Sequence, residues 1–342
     1  MKAAVAYGDA TIRIEELTLP VPRQGELVVR VRACGVCGSD LAKLFQHTLQ
    51  SPTVLGHEIA GEVARVGDGT DRFRPGDRVV VAHHVPCFGC HYCRHGQYSM
   101  CRHFKQSNLH PGGFAEEVLV PTEHVRLTTL PVPDHVSFEA ASFTEPLACC
   151  LRGMRRWNLQ PGDVVVLVGL GPMGLLMAQL IQAHHGVVLG TDMDAGRLAF
   201  AEHIGVNAVC AAADIERLAQ SIDDLTHGRG CDVVVLTAGH GGTVQEALRW
   251  VRDGGTIMLF GNLALQQPAT LDPNVLYYRE ITLQGSYSPS PLELVHALHL
   301  IESQAVNVKQ LISHRLPLAQ LAEAVELART RRAVKAIINP HG

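Results

Sequence analysis

Three features of this sequence predict an α/β chain in which a β-rich domain precedes a doubly wound parallel sheet. Up to about residue 145, short β-branched runs are cut by glycine and proline; beyond residue 160, apolar strands and helices alternate; and a glycine-rich turn joins the first of those strands to its helix. At 342 residues the chain exceeds one compact core, so two domains are expected, and 46% hydrophobic residues can fill both. The balance of 29 Lys+Arg against 33 Asp+Glu is too even to suggest nucleic acid or an anionic membrane as partner.

The early runs are ELVVRVRAC, EIAGEVARVG, DRVVVAHH and GGFAEEVLVP, the texture of an irregular, mostly antiparallel β domain. Near Glu139 the pattern changes, and FEAASFTEPLACCLRGMRRW carries a helical apolar stripe that ends before Leu159, Gln160, Pro161 and Gly162. Then DVVVLVGLG leads into PMGLLMAQLIQAHH, GVVLGTD into AGRLAFAEHIG, CDVVVLTAG into GGTVQEALRWVRDGG, and TIMLFG follows. Strands and helices alternating in this way build a parallel sheet covered by helices. From about Ser286 come the helical PLELVHALHLIESQ, then ISHRLPLAQLAEAVELART and a terminal strand, AVKAIINP. The N-terminus alternates like a strand and lacks a signal peptide's apolar core, and no apolar run reaches a membrane span, which implies a soluble cytoplasmic protein.

Cys87, Cys90, Cys93 and Cys101 form C-x2-C-x2-C-x7-C within PCFGCHYCRHGQYSMC. Four thiolates so closely spaced can close a tetrahedron around one zinc ion at roughly 2.3 Å from each sulfur. Pro86, Gly89 and Gly96 let the loop turn back on itself. The alternatives are a pair of disulfides or four unrelated buried thiols, both disfavoured in a cytosolic chain. A four-cysteine site has no open position, so this zinc would be structural and catalysis belongs elsewhere. The cysteines outside this loop other than Cys37 read as small core residues.

Gly169, Gly171 and Gly174 in VVVLVGLGPMGLLMAQL form G-x-G-x-x-G, and Pro172 and Met173 open the helix. A glycine triplet alone is weak evidence; after an apolar strand and before an apolar helix it is strong. Such a turn brings backbone close to a dinucleotide pyrophosphate, which sits at the helix N-terminus where free N–H groups favour negative charge. The next strand ends at Asp192, placed about 20 residues on for the ribose hydroxyls. An acid there repels a 2′-phosphate and favours NAD over NADP, with Arg197 close by as a counterweight.

CGVCGSD puts Cys37 beside Ser39 and Asp40, and VLGHEIAGEV puts His57 before Glu58. One cysteine and one histidine leave a zinc short of a full shell, as catalysis needs, although taken alone they are more often core residues. Together with GHE, the cysteine loop, RPGDRV at 74–79, TEPLA at 144–148, GLGPMG and LAEAVELA, they resemble the zinc-dependent medium-chain dehydrogenase/reductase superfamily of alcohol, polyol and threonine dehydrogenases, over essentially the whole chain. The resemblance implies a GroES-like catalytic domain over 1–149 and 286–342 and a Rossmann NAD-binding domain over 150–285. It implies a catalytic zinc on Cys37 and His57, with Glu145 of TEPLA at the third position. Glu58 either binds zinc directly, alternates with water, or is a core-facing hydrogen-bonded carboxylate. Asp40 is expected to orient a ligand.

The implied reaction is hydride transfer between a small-molecule alcohol or ketone and NAD, with zinc lowering the alcohol's pKa and water shut out of the cleft between domains. Ser39 passes the hydroxyl proton outward. Many relatives carry a histidine five residues after the ligand cysteine as the outer end of this relay; here that residue is Ala42, leaving Lys43, His47 or water. A glutamate at the metal is characteristic of branches acting on polyols, cyclitols and other secondary alcohols, although Ser288 stands where polyol dehydrogenases tend to carry arginine. A threonine 3-dehydrogenase-like or simple alcohol dehydrogenase, a zinc-free reductase and a non-catalytic protein of this fold are the other readings. The segment TIMLFG, followed after a loop by YYREITLQGSY, suggests an apolar strand at a sheet edge that a second chain would cover, giving a homodimer or homotetramer.

Overall fold

The computed structural model describes residues 1–46, 49, 52–261 and 268–342. Two compact units emerge, Met1–Ala148 with Pro289–Gly342, and Cys149–Ser288. Among the described residues no helix is long and apolar enough to cross a membrane.

The first unit is organised on the strand Leu27–Gly35, buried along nearly its whole length. It pairs antiparallel with Glu58–Val66, so that Gly35 at the end of one strand faces Glu58 at the start of the other. The same strand pairs with Glu117–Val120 along its first half and with the terminal strand Lys335–Asn339 at its end, where Ile337 faces Gly35. Arg78–Val81 and Thr129–Pro131 extend the sheet on one side, and Ile312–Pro317 lies parallel to the terminal strand on the other. Leu27, Val29, Val31, Val79, Val81 and Ile338 supply part of the core beneath it. Antiparallel pairing brings strand ends together, which is why residues 20 apart along the chain meet at one place.

The second unit contains the expected parallel sheet. Its strand order is Ala208–Ala211, Val187–Asp192, Val164–Val168, Cys231–Leu236, Val251–Leu259, Thr282–Gly285, every pair parallel. Val164–Val168 and Cys231–Leu236 are buried at every position, the signature of strands covered on both faces. The order reverses beside Val164–Val168, and at that strand's carboxyl end sits the glycine turn.

Two local expectations differ from the structure. The apolar helical stripe after Glu139 is two helices, Phe138–Ala141 and Thr144–Met154. The strand containing TIML begins earlier, at Val251, and Thr282–Gly285, within YYREITLQGSY, pairs with it and takes the edge position. The turn-forming Asp253, Gly254 and Gly255 are absorbed by a register shift within that strand's pairing.

Candidate metal and dinucleotide site

Strand pairing places the first site. Cys37 lies two residues beyond Gly35 and His57 one residue before Glu58, and since Gly35 faces Glu58, the two side chains converge. Ligand atoms of Cys37, His57 and Glu58 all lie within 4.8 Å of one another. Cys37 also starts the helix Gly38–Phe45, and its backbone N–H donates to Asp40 Oδ2 at 3.1 Å. That bond turns the other carboxylate oxygen of Asp40 toward His57, whose Nδ1 lies 3.3 Å from Oδ1. A carboxylate on one imidazole nitrogen fixes the ring's tautomer and leaves the other nitrogen with a free lone pair, the usual support of a metal-binding histidine. Burial alone would push His57 down the pH scale, but Asp40 and Cys37 more than offset it and hold the ring well above its ordinary value. A metal ion at Nε2 would replace the bound proton. Ser39 Oγ lies 3.4 Å from both Cys37 Sγ and His57 Nε2.

Glu58 is fully buried and its Oε2 is ion-paired with Lys335 Nζ at 2.5 Å, both groups being almost wholly removed from water. Burial alone would lower the pKa of Lys335; the Glu58 carboxylate reverses this and raises it. Gly35 makes the pair possible, because a Cβ there would stand 2.0 Å from Glu58 Oε2 and 2.8 Å from Lys335 Cε. Lys335 was not singled out from the sequence; the signal was a lysine inside the apolar strand AVKAIINP, where a buried charge demands a partner. Lys335→Met leaves Glu58 buried without its counter-ion and is expected to lower unfolding stability by about 3–5 kcal/mol. Chemical denaturation of the single variant, and of the double variant with Glu58→Gln, measures this; a loss below about 1 kcal/mol contradicts a buried ion pair.

Glu145 lies in the helix Thr144–Met154, is buried, and belongs to neither metal-competent cluster found among the described residues. It lines a cavity of about 10 Å³, room for roughly one water, with Ile59, Ala82, Thr128, Ser142 and Thr144. Of the groups considered for the outer proton relay, Lys43 is exposed on the helix Gly38–Phe45, and His47 lies outside the described residues.

Beside His57 the histidines His83 and His84 follow the strand Arg78–Val81; the ring centroids of His57 and His83 are 4.7 Å apart and those of His83 and His84 3.9 Å. Burial pushes His83 well below its ordinary value, with His84 and His57 adding to the effect, and burial brings His84 down to about 4. Both rings are neutral near pH 7.

The cysteine loop forms the second cluster. All ten cysteines are free thiols, and the sulfurs of Cys87, Cys90, Cys93 and Cys101 lie within 4.8 Å of one another, Cys90 to Cys93 and Cys87 to Cys101 at 3.6 Å. Sulfurs at roughly 2.3 Å from one tetrahedral ion would stand about 3.8 Å apart, so the cluster fits zinc. The short helix His91–Arg94 follows Cys90, and Phe104 packs against Cys93 and Cys101. Without a cation the thiols oppose one another: burial and the neighbouring sulfurs push Cys93 up to about 12, whereas backbone donors outweigh burial at Cys101 and bring it to about 6. A divalent cation would let all four ionise.

In the second unit the glycine turn opens the helix Pro172–Ala183, with Pro172 and Met173 as its first two residues. A Cβ on Gly174 would stand 2.0 Å from the carbonyl oxygen of Gly169, so only glycine lets helix and strand approach this closely. The Arg197 guanidinium lies beside Gly171. Asp192, at the end of Val187–Asp192, is buried; Oδ2 accepts the N–H of Leu170 at 2.8 Å and Oδ1 that of Asp194 at 2.9 Å. Arg197 Nη1 is 3.8 Å from Asp192 Oδ2. Each carboxylate oxygen keeps a further lone pair for a ribose hydroxyl. The sequence did not reveal that this acid also ties down the glycine turn.

Comparison with known proteins agrees with this construction. Residues 23–134 match the alcohol dehydrogenase GroES-like domain family and residues 169–303 the zinc-binding dehydrogenase family. The chain is 32% identical over 336 residues to a sorbitol dehydrogenase of Bacillus subtilis, covering 96% of this chain and 93% of that one. It is 32% identical to a D-arabitol-phosphate dehydrogenase of Enterococcus avium, covering 94% and 92%. A solved structure from Sinorhizobium meliloti 1021 bound to NADP superposes with a TM-score of 0.89 at 28% identity, covering 99% of each chain. With the two-unit architecture, the glycine turn at the switch point and full-length relatives above 30% identity in hand, the chain is placed in the zinc-binding dehydrogenase family of the medium-chain superfamily and is an oxidoreductase.

Proposed function

We propose that this chain is a zinc-dependent dehydrogenase that interconverts a secondary alcohol of the polyol class and its ketone, with NAD as hydride acceptor. The convergence of Cys37 and His57, braced by Asp40 and bridged by Ser39, carries the reading. The polyol class rests on the full-length relatives named for sorbitol and D-arabitol phosphate. A zinc ion on Cys37 and His57, with Glu145 as third ligand, would supply Lewis acidity toward the substrate oxygen, and NAD would accept the hydride. Asp40 holds His57 in the ligating tautomer. Ser39, in contact with both ligand residues, takes the hydroxyl proton and passes it outward toward solvent. Lys335 neutralises Glu58 and keeps that carboxylate from leaving an unpaired charge beside the site. A second zinc on Cys87, Cys90, Cys93 and Cys101 is structural.

A screen of NAD and NADP reduction over sorbitol, xylitol, 2,3-butanediol, L-threonine and 2-butanol tests the reading. Polyols or diols are expected to give the highest kcat/KM; turnover of L-threonine alone, or of none, contradicts it.

The acid at Asp192 favours NAD, against the counterweight of Arg197. Asp192→Ser frees Arg197 for a 2′-phosphate and is expected to raise the ratio of kcat/KM for NADP over NAD by about tenfold or more. Equal kcat/KM for both cofactors in the unaltered enzyme refutes this role.

The exposed sheet edge Thr282–Gly285, with Tyr277 and Tyr278 exposed nearby, supports a homodimer or homotetramer joined through that edge. Light scattering at micromolar concentration is expected to give a dimer or tetramer; a monomer rules this assembly out.

A further inference from the structure

The four sulfurs of the cysteine loop differ in their access to water. Cys87 is exposed and Cys90 half-buried, whereas Cys93 and Cys101 are 5% and 1% exposed. The chain around Cys87 leaves that side open: Phe88 is exposed, and a Cβ added at Gly89 would meet nothing nearer than the carbonyl oxygen of Cys87 at 3.8 Å. The exposed sulfur also has a buried one beside it, since Cys87 Sγ and Cys101 Sγ stand 3.6 Å apart. At the other metal site Cys37 is half-buried and clusters with His57 and Glu58, with no second sulfur in the group.

We propose that Cys87 is an oxidation site for small hydroperoxides, with Cys101 as its resolving thiol, so that the loop gives up its zinc reversibly. The inference rests on the structural zinc proposed above. Peroxides react with the thiolate rather than the thiol, and susceptibility follows thiolate character and exposure. Metal binding keeps all four cysteines deprotonated, so exposure selects among them and Cys87 reacts first. Its sulfur attacks one peroxide oxygen, the O–O bond breaks, and hydroxide or an alkoxide leaves and is protonated by solvent. Cys87 becomes a sulfenic acid, a two-electron oxidation matched by reduction of the peroxide. The Cys101 thiolate then attacks that sulfur, forming the S–S bond as the S–O bond breaks and hydroxide departs. Only Cys90 and Cys93 remain as ligands, too few to close a tetrahedral site. A sulfenic acid on Cys37 would have no thiol in its own cluster to resolve it, which sets the loop apart as the reversible site.

The test adds millimolar hydrogen peroxide to the zinc-loaded enzyme and to Cys37→Ala, in which only the loop metal is left. A chromogenic chelator reports free zinc, dimedone traps sulfenic acid, and peptide mapping by mass spectrometry locates both the trapped adduct and any disulfide. Without peroxide the chelator is expected to take no zinc from Cys37→Ala. With peroxide, one zinc per chain is expected to be released, dimedone to label Cys87 first, and a Cys87–Cys101 disulfide to form when dimedone is left out. Tm should fall as the metal leaves, and dithiothreitol with added zinc should restore both Tm and metal content. Zinc retained with all four thiols reduced, a first label on Cys90, Cys93 or Cys101, or a loss that dithiothreitol does not reverse overturns the proposal. Cys37→Ala that holds no zinc before peroxide is added removes the structural-zinc reading, and the proposal with it.

Discussion

Cys37→Ala and His57→Ala are each expected to lower kcat by roughly a thousandfold or more, because the Lewis acid proposed for this pair would supply several kcal/mol of charge stabilisation in the transition state. The fold should survive. Neither side chain is part of the apolar core, and the strands that bring them together are paired through backbone bonds that the substitutions leave alone. Cofactor binding should survive too, since the glycine turn belongs to the other unit. Steady-state kinetics, circular dichroism and fluorescence titration with NADH read these three quantities separately. Near-normal kcat in either variant, or loss of folding in both, contradicts the assignment.

Glu145 gives the second large effect. A carboxylate shares less charge with zinc than a thiolate, so the metal at Cys37 and His57 should be held less tightly than one in the four-cysteine loop and keep more Lewis acidity. Glu145→Ala is expected to lose catalytic zinc and most of kcat, by about a hundredfold or more, while NAD binding stays intact. Glu58 competes for this role, because its ligand atoms are the ones clustered with Cys37 and His57, whereas Glu145 is not in that cluster. The ion pair to Lys335 argues for Glu58 as a neutralised neighbour. Full zinc occupancy and near-normal kcat in Glu145→Ala, together with loss of both in Glu58→Gln, would transfer the third position to Glu58.

What could be read in advance follows sequence distance. The cysteine loop and the glycine turn were legible because their chemistry is local: four ligands within 15 residues, and three glycines between one strand and one helix. The parallel sheet was legible because doubly covered strands such as Val164–Val168 are continuous apolar runs. The pairing of Glu58 with Lys335 was not, since it depends on the terminal strand joining the end of Leu27–Gly35, a contact that no periodicity reveals. The contact of His83 with His57 was hidden for the same reason: that the two rings pack together is a property of three-dimensional structure. The sheet edge falls on Thr282–Gly285, within YYREITLQGSY; that strand is short and half polar, and its strand character comes from parallel pairing with Val251–Leu259 rather than from its own composition.

The central claim is that the Cys37–His57 site holds a catalytic metal distinct from the one in the cysteine loop. Metal analysis per chain during dialysis against a chelator, with NADH production from sorbitol followed on the same samples, tests it most directly. Two zinc ions per chain are expected at the start, and activity should disappear as the first is lost, while the second remains with the folded protein. A single ion in fully loaded enzyme, or full activity after one ion has gone, would contradict the account.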